Sequence, residues 1–436
     1  MSKFVMDTAG VNEKGNLTLG GVDCVELAKK YGTPLYVIDE DAVIDHCRQY
    51  KNSIDKYYGG KGKVLYASKA LSAVFMYKTV KECGLGVDVV SGGELFTALK
   101  AGTDPADICF HGNNKTADEL KMAVDCGVGR IIVDNNEELL RLNKIAGDAG
   151  KNVKIMFRIK PGVDAHTHEF IMTGQIDSKF GVALENGEAI EIMRAAAALP
   201  NVTVVGADCH IGSQIFEVAP FKLTAKRMIE FMAQVRREVG IELTELNLGG
   251  GFGIKYTAKD DPIPYESYIH QVRDIIEETC AEQNMPLPYI YMEPGRSIVA
   301  SAGLTLYTVG GVKEIKDVRN YVSVDGGMCD NPRYALYKSE YSLCVANKAD
   351  APADYVATVA GKCCESGDLI QENVKMAKPT ESDILAVFAT GAYNYSMASN
   401  YNRNPRPAMV AVKGGADRLV IRRETYEDLI KNDVLD

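Results

Sequence analysis

The sequence predicts an α/β chain: a (β/α)8 TIM barrel followed by a mostly β C-terminal domain. Three observations carry that expectation. Eight short apolar runs alternate with helix-like stretches between about residues 60 and 295; β-branched runs closed by glycine-rich turns replace that alternation afterwards; and 436 residues exceed an ordinary single domain.

The strand candidates are VLYAS (64–68), VDVVS (87–91), ICFHG (108–112), RIIVD (130–134), KIMFRI (154–159), VTVVGADCH (202–210), LNLGG (246–250) and YIYMEP (289–294). Several are nearly continuous in Val, Ile and Leu, as strands covered on both faces tend to be. The segments between them read as helices, with GGELFTALKAG and TADELKMAVDCG the clearest, each stopped by Gly. After Gly295 come TLYTVGGVKEI, NYVSVDGG, DYVATVAG, ILAVFATG, AMVAVKGG and RLVIRRE, which read as strands with turns between them. The expected division is a barrel over 36–300 and a β-rich domain over 301–436, joined by residues 1–35.

Composition narrows the function. A net charge of −10 argues against a nucleic-acid surface, where a basic stripe is expected, yet local Arg and Lys still allow a small anionic ligand. Eleven cysteines without a CxxC pair read as free thiols rather than a disulfide scaffold. The N-terminal segment has no long apolar stretch with a small-residue cleavage site, and no run reaches the ~18 apolar residues of a membrane span. The expectation is a soluble cytoplasmic protein with neither membrane nor nucleic-acid partner.

In a barrel of this kind the chemistry sits at the C-terminal strand ends. Here those ends carry Lys69, Asp88, His111, Arg158, His210, Gly249-Gly250-Gly251 and Glu293-Pro294-Gly295-Arg296. A purely structural barrel has no need of titratable groups at so many strand ends. Lys69 is either a snorkelling surface lysine or a partly desolvated amine able to attack a carbonyl. The Gly249–Gly251 run is either a tight turn or a place where backbone N–H groups approach a phosphate; it is not GxGxxG. Glu293 is either half of a surface ion pair or an acid facing a cofactor ring nitrogen. His210 is either a packed polar residue or a ring that stacks and shuttles protons. His166 and His168 share one strand face, but no Cys or carboxylate pattern completes a metal site, and none is expected.

The strings YASKA (66–70), DVVSGGEL (88–95), FHGNNK (110–115), RIKPGVDAHTHEFIMTG (158–174), DSKFG (177–181), HIGSQI (210–215), LNLGGGFGI (246–254), EPGRS (293–297), NPRYALY (331–337) and CESGD (364–368) occur in that order. Together they resemble the diaminopimelate decarboxylases, of the alanine-racemase-like class of pyridoxal-phosphate enzymes, over roughly residues 30 to 415. The resemblance implies decarboxylation of meso-2,6-diaminopimelate to L-lysine and CO2, pyridoxal 5'-phosphate as cofactor, and a homodimer with sites at the subunit interface. It implies that Lys69 carries the cofactor, that His210 stacks on its ring and that Glu293 pairs with the ring nitrogen. Ser213, Gly249, Gly250, Gly251, Pro294, Gly295, Arg296 and Tyr393 are implied in cofactor and phosphate binding. Arg296, Arg333, Tyr337, Glu365 and Tyr393 are implied to bind substrate, and Cys364 to act in protonation in the partner's site.

Four alternatives stay open on the residues alone. An ornithine or arginine decarboxylase shares the lysine, the histidine, the Gly loop and EPGR, but cationic chain ends call for an acidic distal pocket, which Arg333 does not offer. An alanine racemase is expected to place Arg, not Glu293, at the ring nitrogen. A non-catalytic pyridoxal-phosphate carrier needs the barrel alone. A metal-dependent hydrolase using His166 and His168 lacks further ligands.

Overall fold

The computed structural model describes residues 4–163 and 178–434, so His166 and His168 lie outside the described residues. The chain forms two compact units: one of His46–Gly253 with Pro262–Gly295, the other of Met1–Asp45, Ile254–Asp261 and Arg296–Asp436.

The first unit is a closed barrel of eight parallel strands: β1 (Gly62–Ala67), β2 (Gly86–Val89), β3 (Ile108–Phe110), β4 (Arg130–Val133), β5 (Val153–Lys160), β6 (Val202–Cys209), β7 (Glu245–Asn247) and β8 (Tyr289–Met292). Each strand pairs with the next, and β8 returns to β1 with Met292 opposite Val64. All eight predicted runs are strands, and the predicted (β/α)8 barrel is the fold observed. A two-residue strand, Val182–Ala183, adds to β5 and had no signal beyond a dipeptide.

Helices form where local chemistry satisfies their ends. Helix Ala117–Cys126 starts in a capping box, Thr116 with Glu119, and stops at Gly127 in the left-handed region. Helix Gly92–Lys100 is capped by Ser91, whose hydroxyl accepts from the Glu94 N–H.

Inside the barrel, Leu65, Cys109, Ile132, Met156 and Tyr291 form one packed layer drawn from five strands. At the N-terminal ends of the strands the charges are paired, between strands that are not neighbours in the sheet. Arg130 grips Glu245 through two hydrogen bonds of 2.8 and 2.7 Å, and Lys63 pairs with Asp107.

The second unit is a sheet built on the long strand Gly303–Ile315. The first half of that strand lies between Leu35–Asp39 and Ile384–Phe388, and its second half pairs with Arg319–Val324 after a register shift between Val309 and Gly311. Leu35–Asp39 also pairs in parallel with Ala408–Lys413, so a strand from the start of the chain sits inside a sheet made mostly by its end. Alternate residues Leu35, Val37, Leu304, Leu306, Ala386, Phe388 and Val410 fill the core of this unit.

Among the described residues, no helix is long and apolar enough to cross a membrane. All eleven cysteines stand as free thiols.

Candidate active site

The barrel gathers its unusual charges at the C-terminal ends of the strands. β1 runs into a 3-10 turn, Ser68–Ala70, in which Ser68 and Ala70 are buried and Lys69 is exposed. Lys69 is therefore exposed rather than desolvated, because the turn carries it beyond the apolar strand. Its charge still reaches Asp88, Glu94 and His210. Among the described residues the buried lysine is Lys115, and it is spent on structure: its amine donates to the carbonyls of Gly112 and Ile132 and pairs with Glu138 at 2.8 Å.

Glu293 follows β8 and is buried. Its Oε1 accepts from Asn247 Nδ2 at 2.5 Å and meets His111 Nε2 at 2.7 Å. Oε2 accepts no hydrogen bond among the described residues. Burial pushes the Glu293 carboxyl up, but the His111 charge and the two hydrogen bonds outweigh it and hold the group below its ordinary range. His111 also has Asp88 Oδ1 3.9 Å from Nε2 and Asp208 Oδ2 4.0 Å from Nδ1. Burial opposes its charge; Glu293, Asp88 and Asp208 together prevail and raise it to about 9. Burial raises Asp88 to about 6 and Asp208 to about 7, each partly offset by His111. Asp88 Oδ1 and both oxygens of Asp208 are buried without a hydrogen bond among the described residues. Asp88, His111 and Glu293 place ligand atoms within 4.8 Å of one another, a spacing that suits a cation. The direct His111–Glu293 bond already occupies the lone pair such an ion would need.

His210 ends β6 beside the glycine run. Gly250 donates its N–H to His210 Nδ1 at 3.2 Å, and Gly249 donates to Asn247 Oδ1 at 2.9 Å. The Gly251 amide has no partner among the described residues. A side chain on Gly250 would strike the Glu293 carbonyl, and one on Gly251, at φ +109°, would lie 2.7 Å from the Gly212 carbonyl. Ser213 is half-buried in the loop after β6, next to Gln214 at φ 61°. Pro294 and Gly295 continue from Glu293, with the Pro294 carbonyl accepting from the Ala67 N–H and Gly295 packed against Ala67 and Ala70.

The second unit, taken by itself, holds an arginine–tyrosine cluster. Arg296 donates to the Tyr256 hydroxyl at 2.6 Å and lies 4.7 Å from the Tyr393 ring centre. Arg333, also buried, stands 4.6 Å from the Tyr256 ring and 5.4 Å from that of Tyr341. It donates to the Tyr341 hydroxyl at 3.0 Å and to Ser339 Oγ at 3.3 Å, and it has no carboxylate partner among the described residues. Tyr337 ends the same short helix, Arg333–Tyr337, and is half-buried. Tyr393 holds a left-handed φ of 71°, a conformation that costs a bulky residue free energy. Cys364 and Glu365 are exposed in the turn before Leu369–Met376, where the Cys364 N–H donates to Asn402 Oδ1 at 2.7 Å.

The structure thus brings His210, Gly249–Gly251 and Glu293 together at the barrel's C-terminal end, and Arg296, Arg333 and Tyr393 around one tyrosine in the second unit. Sequence reasoning gave no role to Asn247, Asp208, Tyr256 or Tyr341. Asn247 and Asp208 sit inside apolar strands, and only their polarity at a strand end marked them. His111 was noted at a strand end without its partner, which lies 182 positions away.

Residues 40–300 match the family model of the pyridoxal-dependent decarboxylase pyridoxal-binding domain. The chain is 49% identical over 417 residues to a diaminopimelate decarboxylase of Bacillus methanolicus, covering 96% of each. It is 46% identical to that of Bacillus subtilis, covering 99% of this chain and 98% of the relative. Among solved structures, a diaminopimelate decarboxylase from M. jannaschii in co-complex with L-lysine superposes with a TM-score of 0.91 at 34% identity, over 99% of both chains. Likeness of this extent, in sequence and in fold, decides the family: the chain belongs to the diaminopimelate decarboxylases, within the pyridoxal-dependent decarboxylases.

Proposed function

We propose that this chain removes one carboxylate from meso-2,6-diaminopimelate to give L-lysine and CO2, using pyridoxal 5'-phosphate. The family supports the reaction, and buried Arg333 carries the choice of substrate. A guanidinium held by two neutral hydroxyls and two rings, with no carboxylate among the described residues, is a costly charge unless a ligand supplies the anion. Diaminopimelate brings a second carboxylate that Arg333 fits in bidentate fashion; ornithine and lysine do not.

The barrel residues fit the cofactor. Glycines at 250 and 251 leave room where a Cβ would clash, and among the described residues the Gly251 N–H is unengaged and Glu293 Oε2 accepts no hydrogen bond. Lys69 would anchor the group, His210 would lie on its ring, and Glu293 would face the ring nitrogen. Ser213, Gly249–Gly251, Pro294 and Gly295 would line the phosphate side. Bound pyridoxal phosphate supplies an electron sink for the pair left at Cα when the carboxylate departs. From the second unit, Arg296 and Tyr393 would bind anionic oxygens, Tyr337 and Glu365 would meet the substrate's polar groups, and Cys364 would deliver a proton. Exposure of Cys364 and Glu365 suits residues that act in the site of a second copy, and a homodimer in the cytoplasm is the assembly we propose.

A CO2-release assay with purified protein, pyridoxal phosphate and a panel of amino acids tests this. Strong turnover of meso-diaminopimelate, with ornithine, arginine and lysine near background, is expected. Comparable kcat/KM for ornithine would overturn the substrate assignment.

A further inference from the structure

We infer that His111 and Asn247 are positioning residues for Glu293: they tie down Oε1 and keep the carboxylate ionised, so that Oε2 faces the cofactor ring nitrogen as an anion. This rests on the reading of Glu293 as the ring partner.

The geometry divides the two oxygens of Glu293. Both hydrogen bonds fall on Oε1, from an amide that is a donor in any protonation state and from an imidazole. A carboxylate fixed through one oxygen cannot rotate the other away without breaking two buried bonds, each costly to lose. The electrostatics explain why one of the two is a histidine. Glu293 shares its pocket with Asp88 and Asp208, which approach His111 from β2 and β6. Three buried carboxylates crowded together drive one another toward the protonated form, and a protonated Glu293 could not hold a proton on a ring nitrogen. An imidazolium between them reverses that. Burial opposes the charge on His111, yet the three acids raise it to about 9, and its charge in turn holds Glu293 down. Lys69 and Arg158 act on the same acids: both lower Asp88, and Arg158 lowers Asp208. Asn247 adds the bond without adding charge, and its own Oδ1 is fixed by the Gly249 N–H. Asn247 links Glu293 to the glycine run in this way.

The test uses holoenzyme loaded with cofactor labelled with 15N at the ring nitrogen, whose chemical shift reads the proton directly. His111→Leu should move the signal toward the neutral-pyridine position. kcat should fall on the order of 10–100-fold, with KM for the substrate little changed, the pattern of a lost supporting contact. His111→Gln, which keeps a hydrogen bond but not the charge, should restore part of both. In wild-type holoenzyme, histidine NMR should show His111 as imidazolium at neutral pH, a readout that needs no variant to fold. A neutral His111 there overturns the inference, as does a His111→Leu holoenzyme with an unchanged 15N signal. Glu293→Gln separates the two levels. If it also leaves the signal unmoved, the ring-partner reading has failed; if it shifts the signal and His111→Leu does not, only the positioning role has.

Discussion

Gly250 donates its backbone N–H to Nδ1 of His210, which fixes that nitrogen as an unprotonated acceptor. Burial pushes His210 well below its ordinary value, and Lys69, Arg158 and His111 add to the effect. His210 is therefore neutral, a flat ring and not a cation. Histidine NMR across the pH range should find no His210 titration at or near the ordinary value of about 6.5. A His210 that gains its proton there would contradict the assignment.

Lys69 is the amine expected to bond the cofactor. Borohydride reduction of the holoenzyme followed by peptide mapping should label Lys69 and leave Lys115 unmodified, since Lys115 is locked against two carbonyls and Glu138. A label on any other lysine would refute the role.

Arg333→Met tests the substrate end. Loss of the distal partner should lower kcat/KM for diaminopimelate by on the order of 10²–10⁴-fold, while cofactor binding persists. Because the arginine is a buried charge whose partners among the described residues are all neutral, the substrate-free variant should melt no lower than wild type. A large drop in melting temperature would show that Arg333 serves the fold, and an equal loss of any ornithine activity would show that it does not read the second carboxylate.

The charge on His111 also makes a stability prediction with a definite sign. Its folded value, about 9, lies above the ordinary 6.5, so its stabilising contribution is full below about 6.5 and is lost as pH rises through about 9. The difference in melting temperature between wild type and His111→Gln should shrink across that window. A gap that widens with pH would mean His111 is neutral in the folded protein.

Assembly can be read by complementation. Lys69→Ala and Cys364→Ala proteins, each nearly inactive, should recover part of their activity when mixed and allowed to exchange subunits. No recovery, with exchange shown independently, would place Cys364 in service of its own chain.

The barrel was legible because each strand is a local event: VLYAS or RIIVD declares itself within five residues, and glycine or a cap marks where its helix stops. The second unit was legible as β but not as a topology, since LYVID gives no hint that its partners lie near residues 306 and 408. At the site, strand-end position picked out Lys69, His210 and Glu293. It could not show that Glu293 is shared by Asn247 and His111, because hydrogen bonds across 46 and 182 positions leave no periodic trace. For Lys69 the sequence left an exposed and a partly desolvated amine both open, because the apolar strand before it does not say how the 3-10 turn that follows will expose it.

Strand Leu35–Asp39 has a further consequence, for synthesis. Its neighbours, Leu304–Leu306 and Ala408–Val412, are made much later, so Leu35 leaves the ribosome long before Leu306 exists. At typical elongation rates the delay is on the order of tens of seconds. During that interval the barrel strands are made in sequence, each beside its predecessor, while a strand that the finished fold buries along its whole length waits with both edges bare. Chains released early would carry a finished barrel and a permanently unpaired LYVID, a ready mark for degradation or chaperone capture. Lacing Leu35–Asp39 between strands so far downstream makes synthesis through Val412 a condition for closing the second sheet.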